Sequence, residues 1–268
     1  MTDEAVVLYD VSDHVATIRL NRPDRGNAAT FELGEQLKDA LRRVESDRDV
    51  RVVVLTGEGK HFCTGDDVEA AWGDPRMAET MRELGDARPP ITPETKAILD
   101  CRVPTIAAVN GSALGIGMDL AIVCDFVVAS DRAKFGQLFV KMGLMADFTG
   151  YWRLPQLVGL AKASELLFTG DIIDAAEAER IGLVSRVVPG DELMATATSL
   201  AARIAANPPL GVRYIKEGLR RAAGLGYGDL DQLAAYVGNG LARLFNSKDH
   251  AEAAAAFMEK RQAVFSGE

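Results

Sequence analysis

Asp147 stands among apolar neighbours in the run Gly143-Leu144-Met145-Ala146-Asp147-Phe148-Thr149-Gly150. A carboxylate in such surroundings has its pKa raised by desolvation and suits proton transfer; the structural alternative is a helix N-cap. Asp119 closes a second stretch, Asn110-Gly111-Ser112-Ala113-Leu114-Gly115-Ile116-Gly117-Met118-Asp119, which reads as a Gly-rich turn between a strand and a helix start. A turn of this kind aims backbone N–H groups and the positive end of a helix at one point, where an anion or a developing oxyanion is stabilised. A third stretch, Gly57 to Val68, follows a buried strand and offers further N–H groups, although taken alone it reads more readily as a capped surface loop. Two rival readings fail on spacing. Gly115 and Gly117 are followed by Leu120 where a dinucleotide fingerprint needs its third glycine, and Ser112 lacks the downstream glycine of a nucleophile elbow.

The elements that carry these residues are legible from apolar periodicity. Val6 to Tyr9 and Val15 to Leu20 read as strands, the second stopped by Asn21-Arg22-Pro23. Phe31, Leu33, Leu37, Ala40, Leu41 and Val44 are spaced as one face of a helix over Phe31 to Ser46, and Val50 to Thr56 is a buried strand, together a βα crossover pattern. Gly73 to Pro93 is irregular, with prolines among charges. A helix near Thr95 to Cys101, a strand Thr105 to Val109, a helix around Met118 to Val123, a strand Phe126 to Ser130 and a further short strand after Ala133 follow. Beyond Leu154 the pattern is mainly helical: Lys162 to Thr169, Ala175 to Ile181, Glu192 to Ala206, Gly211 to Ala223, Leu230 to Phe245 and His250 to Phe265, interrupted by the strand-like Leu183 to Val188. The apolar stripes of the last two helices need cover from the main domain or another subunit.

The 268 residues suit one large α/β domain with a short appendage, and 48% hydrophobic with 26% charged residues is the balance of a folded globular chain. A net charge of -9 leaves no basic footprint, which argues against nucleic acid or an anionic membrane as partner. Cys63, Cys101 and Cys124 are odd in number and lack CxxC spacing, so neither a disulfide framework nor a zinc site is expected. His14, His61 and His250 are scattered, read as surface or strand-edge residues, and no metal is predicted. Met-Thr-Asp-Glu at the start carries no basic leader and no long apolar run follows, which predicts a cytoplasmic protein.

The chain resembles the crotonase (enoyl-CoA hydratase/isomerase) family over nearly its whole length. The pieces occur in family order: Asn21-Arg22-Pro23, Asn27-Ala28, the Phe62 to Val68 loop, Ala107 to Asp125, Phe135-Gly136-Gln137, Arg153-Leu154-Pro155, Leu157-Val158-Gly159, Leu167-Phe168-Thr169-Gly170, Ala178 with Gly182-Leu183-Val184, and Phe257-Met258-Glu259-Lys260-Arg261. The resemblance implies an α/β fold, a ClpP-like spiral of ββα units, with a core over residues 1–200 and a helical trimerisation region over 201–268. It implies an acyl-CoA thioester as ligand, with coenzyme A entering as part of the substrate and no separate cofactor, and a homotrimer or dimer of trimers. It also implies an oxyanion hole from the backbone N–H groups of Asp66 and Ile116, the latter standing where glycine is common. Arg25, Cys63, Gly65, Asp67, Val68, Leu114, Gly115 and Phe139 match segments that line the substrate site in relatives, and Lys260 is similar in position to a C-terminal basic residue that contacts CoA phosphates.

The family's hydratases carry glutamates at the positions matching Asp119 and Phe139. Asp119 keeps a carboxylate; phenylalanine cannot transfer a proton. Asp147 matches a position that is usually glycine in hydratases, and its surroundings resemble those of dienoyl-CoA isomerases, which use an aspartate there, and of ring-epoxide phenylacetyl-CoA isomerases, where a Phe also precedes the motif. A 4-chlorobenzoyl-CoA dehalogenase uses the equivalent aspartate as nucleophile. The leading expectation is an isomerase in which Asp147 moves a proton and Asp119 assists. The alternatives are a hydratase that relies on Asp119, and a CoA-thioester-binding paralogue without turnover. Phe139, Phe148, Tyr151 and Trp152 are available to line an aromatic or bulky acyl pocket.

Overall fold

The computed structural model describes residues 5–72, 74–76, 92–207, 209–222, 242, 245–261 and 263. Most of the irregular Gly73 to Pro93 stretch and of the helix expected over Leu230 to Phe245 therefore lies outside the described residues.

Strands β1 (Val7–Ser12) and β2 (Val15–Leu20) form an antiparallel hairpin. Its two turn residues, Asp13 and His14, both have positive φ, the backbone that matches the twist of a two-residue hairpin. Helix α1 (Phe31–Ser46) starts where the Thr30 side chain accepts from Leu33 N, and its buried face is the apolar stripe read from the sequence. Strand β3 (Val52–Gly57) is buried throughout and is followed by the short helix α2 (Val68–Trp72). Helix α3 (Pro93–Asp100) leads to β4 (Thr105–Val109), the three-residue β5 (Ser112–Leu114) and helix α4 (Ile116–Ile122). Strands β6 (Phe126–Ser130) and β7 (Lys134–Gly136) repeat the arrangement, and a 3-10 turn, Leu138–Met142, passes the chain to helix α5 (Phe148–Val158). Helix α6 (Leu160–Thr169), strand β8 (Ile173–Asp174), helix α7 (Ala175–Arg180), strand β9 (Arg186–Val188) and helices α8 (Leu193–Ala205), α9 (Pro209–Ala222) and α10 (Lys248–Glu259) complete the described chain.

The long strands make one sheet in the order β1-β2-β3-β4-β6-β9, parallel from β2 onward. Each return of the chain also lays a short extended segment beside the previous one. Ala29 bridges Asp66, Cys63 bridges Ala113, and β5 pairs with β7, all in parallel. The fold is thus a spiral in which successive turns stack both a long strand and a short one. The central strands are covered on both faces, as a parallel sheet requires. On one side Leu193, Ala197, Ala201 and Ala205 of α8, spaced four apart, pack on Val15, Val52, Val54, Ile106 and Val128. On the other lies the main core, which includes α1 and α4. Every residue of α4 is buried, so Asp119 lies in a helix that is otherwise apolar.

Helix α5 departs from the sequence reading, which begins its helical region only beyond Leu154. Pro155 lies inside the helix. The pattern rule treats proline as a breaker, but here Asp147 caps the start and Gly159, with φ near 77°, turns the chain directly into α6. His250 also departs from expectation: it is buried, its Nδ1 lies 2.8 Å from the Met142 carbonyl, and it joins α10 to the 3-10 turn before Asp147. Helix α9 is tied to the core by the buried Lys216, whose Nζ donates to the Val103 carbonyl and pairs with Asp125, both at 2.6 Å. Among the described residues no helix is long and apolar enough to cross a membrane.

Candidate active site

Asn27 sets the first wall of the site. It is fully buried in a left-handed backbone and donates through Nδ2 to the carbonyls of Glu58 (2.9 Å) and His61 (2.7 Å), which fastens the loop after β3. That loop then runs beside Ala29: Ala29 N donates to Gly65 O and Asp67 N donates to Ala29 O, each at 2.8 Å. In a parallel bridge of this form the residue between the two bonds, Asp66, turns its own N–H to the opposite side. The Asp67 carboxylate is held by Arg22 at 2.8 Å and Arg25 at 3.2 Å, and Arg25 also pairs with Glu69 at 2.7 Å. Asp67 and Arg25 therefore brace the loop and are already engaged with each other. Val68 opens α2.

The second wall is the turn into α4. Cys63 N donates to Ser112 O and Leu114 N donates to Cys63 O, both at 3.0 Å, so the two loops are laced together. A Cβ built on Gly117 would lie 2.2 Å from the Cys63 carbonyl oxygen, and one on Gly115 would lie 3.9 Å from both Gly65 Cα and the tip of the Phe139 ring. Only glycine at 117 allows the helix to start this close to the loop. Ile116 is the first residue of α4, where an N–H has no partner within its own helix. The N–H groups of Asp66 and Ile116 therefore belong to two adjoining turns, with Phe139 beside them. The Cys63 thiol is fully buried, and burial pushes it up to about 12; this cysteine contributes backbone contacts and not a nucleophile.

The third wall carries the carboxylates. Asp119 is fully buried; its Oδ1 accepts from Gln137 Nε2 at 2.8 Å, and its Oδ2 has no partner in the protein. Asp147 caps α5, with Oδ1 accepting from Phe148 N at 2.7 Å while Oδ2, also buried, has no partner. Burial is the main cause that raises both carboxyls. The charge of Asp147 adds to the rise at Asp119 against the opposing Gln137 bond, and the charges of Glu94 and Asp66 add to it at Asp147 against the opposing Phe148 N–H. Burial thus disfavours the charged form of both carboxyls, and the charge of one bears on the other. Asp66 is exposed, and desolvation by the surrounding protein pushes its carboxyl up, against the pull of its own N–H.

Glu94, at the start of α3, is a member of this group that the sequence reading does not single out. Its carboxyl is raised by burial and by the charge of Asp66, and it lies against Gly34 of α1, 3.3 Å from where a Cβ would stand. The signal in the sequence is slight, a Pro-Glu pair opening a helix. Lys260, in contrast, closes α10 as an exposed residue with φ near 54°, and among the described residues no contact ties it to the carboxylates.

Residues 10–268 match the family described as enoyl-CoA hydratase/isomerase. The chain is 36% identical over 269 residues to a probable enoyl-CoA hydratase of Mycobacterium bovis, with 99% of each covered. It is 39% identical over 265 residues to the (E)-benzylidenesuccinyl-CoA hydratase of Thauera aromatica, covering 97% of this chain and 99% of that one. The fold is similar to that of an enoyl-CoA hydratase from Mycobacterium avium subsp. paratuberculosis, with a TM-score of 0.84 at 29% identity over 98% of this chain and 99% of that one. The spiral of laced loops and the extent of these matches agree, and the chain belongs to the enoyl-CoA hydratase/isomerase family, with its crotonase fold.

Proposed function

We propose that this protein is an acyl-CoA isomerase that shifts a double bond beside the thioester, with Asp147 as the proton carrier and Asp119 as its partner. The observation that carries the reading is the Asp147 carboxyl: one oxygen is fixed by Phe148 N, and the other is buried and has no partner among the described residues. In the proposed reaction the thioester oxygen accepts from the N–H groups of Asp66 and Ile116. Ionised Asp147 takes a proton from an acyl carbon, the C–H electron pair moves into the thioester to form an enolate, and the two N–H groups stabilise its charge. The carboxylic acid of the pair then returns a proton to a different carbon. Phe139, beside Gly115, keeps this end of the site apolar. Arg25, Leu114, Gly65, Gly115 and Val68 line the entry in this reading, Lys260 serves the CoA phosphates, and the working unit is a trimer or dimer of trimers.

A second reading is hydration of a 2-enoyl-CoA, with Asp119 and Asp147 dividing the roles of base and acid toward water. The hydratase names of the relatives favour it, as do two buried carboxyls that each keep one oxygen without a partner among the described residues. Mass spectrometry of 2-enoyl- and 3-enoyl-CoA substrates in deuterated buffer separates the readings. Isomerisation moves the double bond and incorporates deuterium without adding the mass of water. Steady formation of the hydroxyacyl product with no double-bond shift would replace the isomerase reading by the hydratase one. Binding of every thioester with neither exchange nor hydration would leave a non-catalytic acyl-CoA-binding protein.

A further inference from the structure

The mechanism above uses the free oxygens of Asp119 and Asp147, but two further buried polar atoms on the same elements have no partner among the described residues: Gln137 Oε1 and the Thr149 hydroxyl. Gln137 is 1% exposed and Thr149 is 0% exposed, so bulk solvent does not reach them. Gln137 spends its amide N–H on Asp119, which leaves its carbonyl oxygen as an acceptor. The same amide reaches α5, with its Cδ 3.9 Å from where a Cβ on Gly150 would stand. One turn further along both helices, Arg153 Nε donates to the Ile122 carbonyl at 3.1 Å. Helices α4 and α5 are therefore in contact, and Thr149 directly precedes Gly150, the residue that the Gln137 amide approaches. Leaving a hydroxyl and an amide oxygen buried without partners costs stability, and apolar residues of similar size would avoid that cost.

We propose that the acyl end of this site receives a neutral acyl group carrying a hydroxyl beyond its reacting carbons, in preference to an unsubstituted alkyl chain or one that ends in a carboxylate. The ligand hydroxyl donates to Gln137 Oε1 and accepts from the Thr149 hydroxyl, which completes both buried groups. A carboxylate at the same position would instead stand next to the acidic Asp119, which Gln137 holds at 2.8 Å, a poor neighbour for a second negative charge. This proposal rests on the acyl-CoA reading above and adds its substrate class. A site built to bond a hydroxyl discriminates strongly against the analogue that lacks it, because its own polar groups are then left unpaired.

The test is calorimetric binding of matched thioesters to the full-length protein: butanoyl-, 4-hydroxybutanoyl- and succinyl-CoA, with pentanoyl-, 5-hydroxypentanoyl- and glutaryl-CoA as the longer set. At one or both lengths the hydroxylated member binds at least about 10-fold more tightly than the alkyl one, and the carboxylated member binds most weakly. In Thr149→Val the hydroxyl preference falls toward parity, while Thr149→Ser retains it and controls for misfolding. Equal or tighter binding of the alkyl thioesters at both lengths, or a preference undiminished in Thr149→Val, overturns the proposal. Solvent deuterium exchange in the same samples reports separately on the catalytic reading. Exchange without hydroxyl preference rejects only the substrate class, and preference without exchange rejects only the isomerase.

Discussion

Asp147 serves as helix cap and as proposed base at once, because a carboxylate has two oxygens and the backbone takes only one of them. Asn is an equally good N-cap, so Asp147→Asn separates the roles: it keeps α5 capped but cannot accept a proton. Deuterium exchange should fall by at least about 100-fold in this variant while thioester affinity largely persists. Burial raises the folded-state pKa of Asp147 from 3.8 to about 7. The stability linked to its proton is therefore complete below the unfolded value and is lost as pH rises through about 7. Asp147→Asn escapes this loss. Its melting temperature should exceed that of the wild type at pH 8, and the difference should shrink toward pH 4. A variant less stable than the wild type at pH 8 would show that the charge of Asp147 is not a burden on the fold. In the wild type, exchange should rise with pH through the same range as the base form appears.

At the scale of elements, the site depends on how closely α4 starts against the Cys63 loop. Gly117 permits the approach, and the bonds between Cys63, Ser112 and Leu114 fix it. Proline is tolerated at the first position of a helix, where its missing N–H breaks no helical bond. Ile116→Pro thus removes the proposed oxyanion donor with little effect on α4, and turnover should drop on the order of 100-fold or more while the circular dichroism spectrum is retained. Asp66→Ala keeps the other backbone donor and removes one negative charge that raises Asp147. It should leave turnover within roughly 10-fold and move the rise in exchange to lower pH. Full activity in Ile116→Pro would remove that N–H from the mechanism.

On the scale of the whole molecule, large apolar side chains remain uncovered on several helices. Leu160 and Phe168 on α6, Ile215 and Leu219 on α9, and Phe257 and Met258 on α10 are all exposed. Apolar surface on these late elements is what the proposed assembly would cover. Light scattering should therefore give three or six times the chain mass at micromolar concentration, and a monodisperse monomer would contradict the proposed assembly.

What the sequence by itself determined was local. Helix α1 has the bounds that its apolar period implies, and strands β2, β4 and β6 have those read from their apolar residues, because one face of a helix is buried every 3.6 residues and a parallel strand covered on both faces is apolar along its length. The ordered motifs were also sufficient for the family and for Asp119, Asp147, Asp66 and Ile116 as the residues to inspect. Tertiary structure decided how those residues are held. Strands as short as β5 and β8 carry no readable period, and α5 was hidden by Pro155, whose effect depends on what caps and follows the helix. The place of Glu94 among the carboxylates was hidden too, because its influence on Asp147 acts across space between residues far apart in the chain. Whether a carboxylate is a solvated surface charge or a buried, desolvated group is set by the protein packed around it, and that packing comes from every turn of the spiral at once.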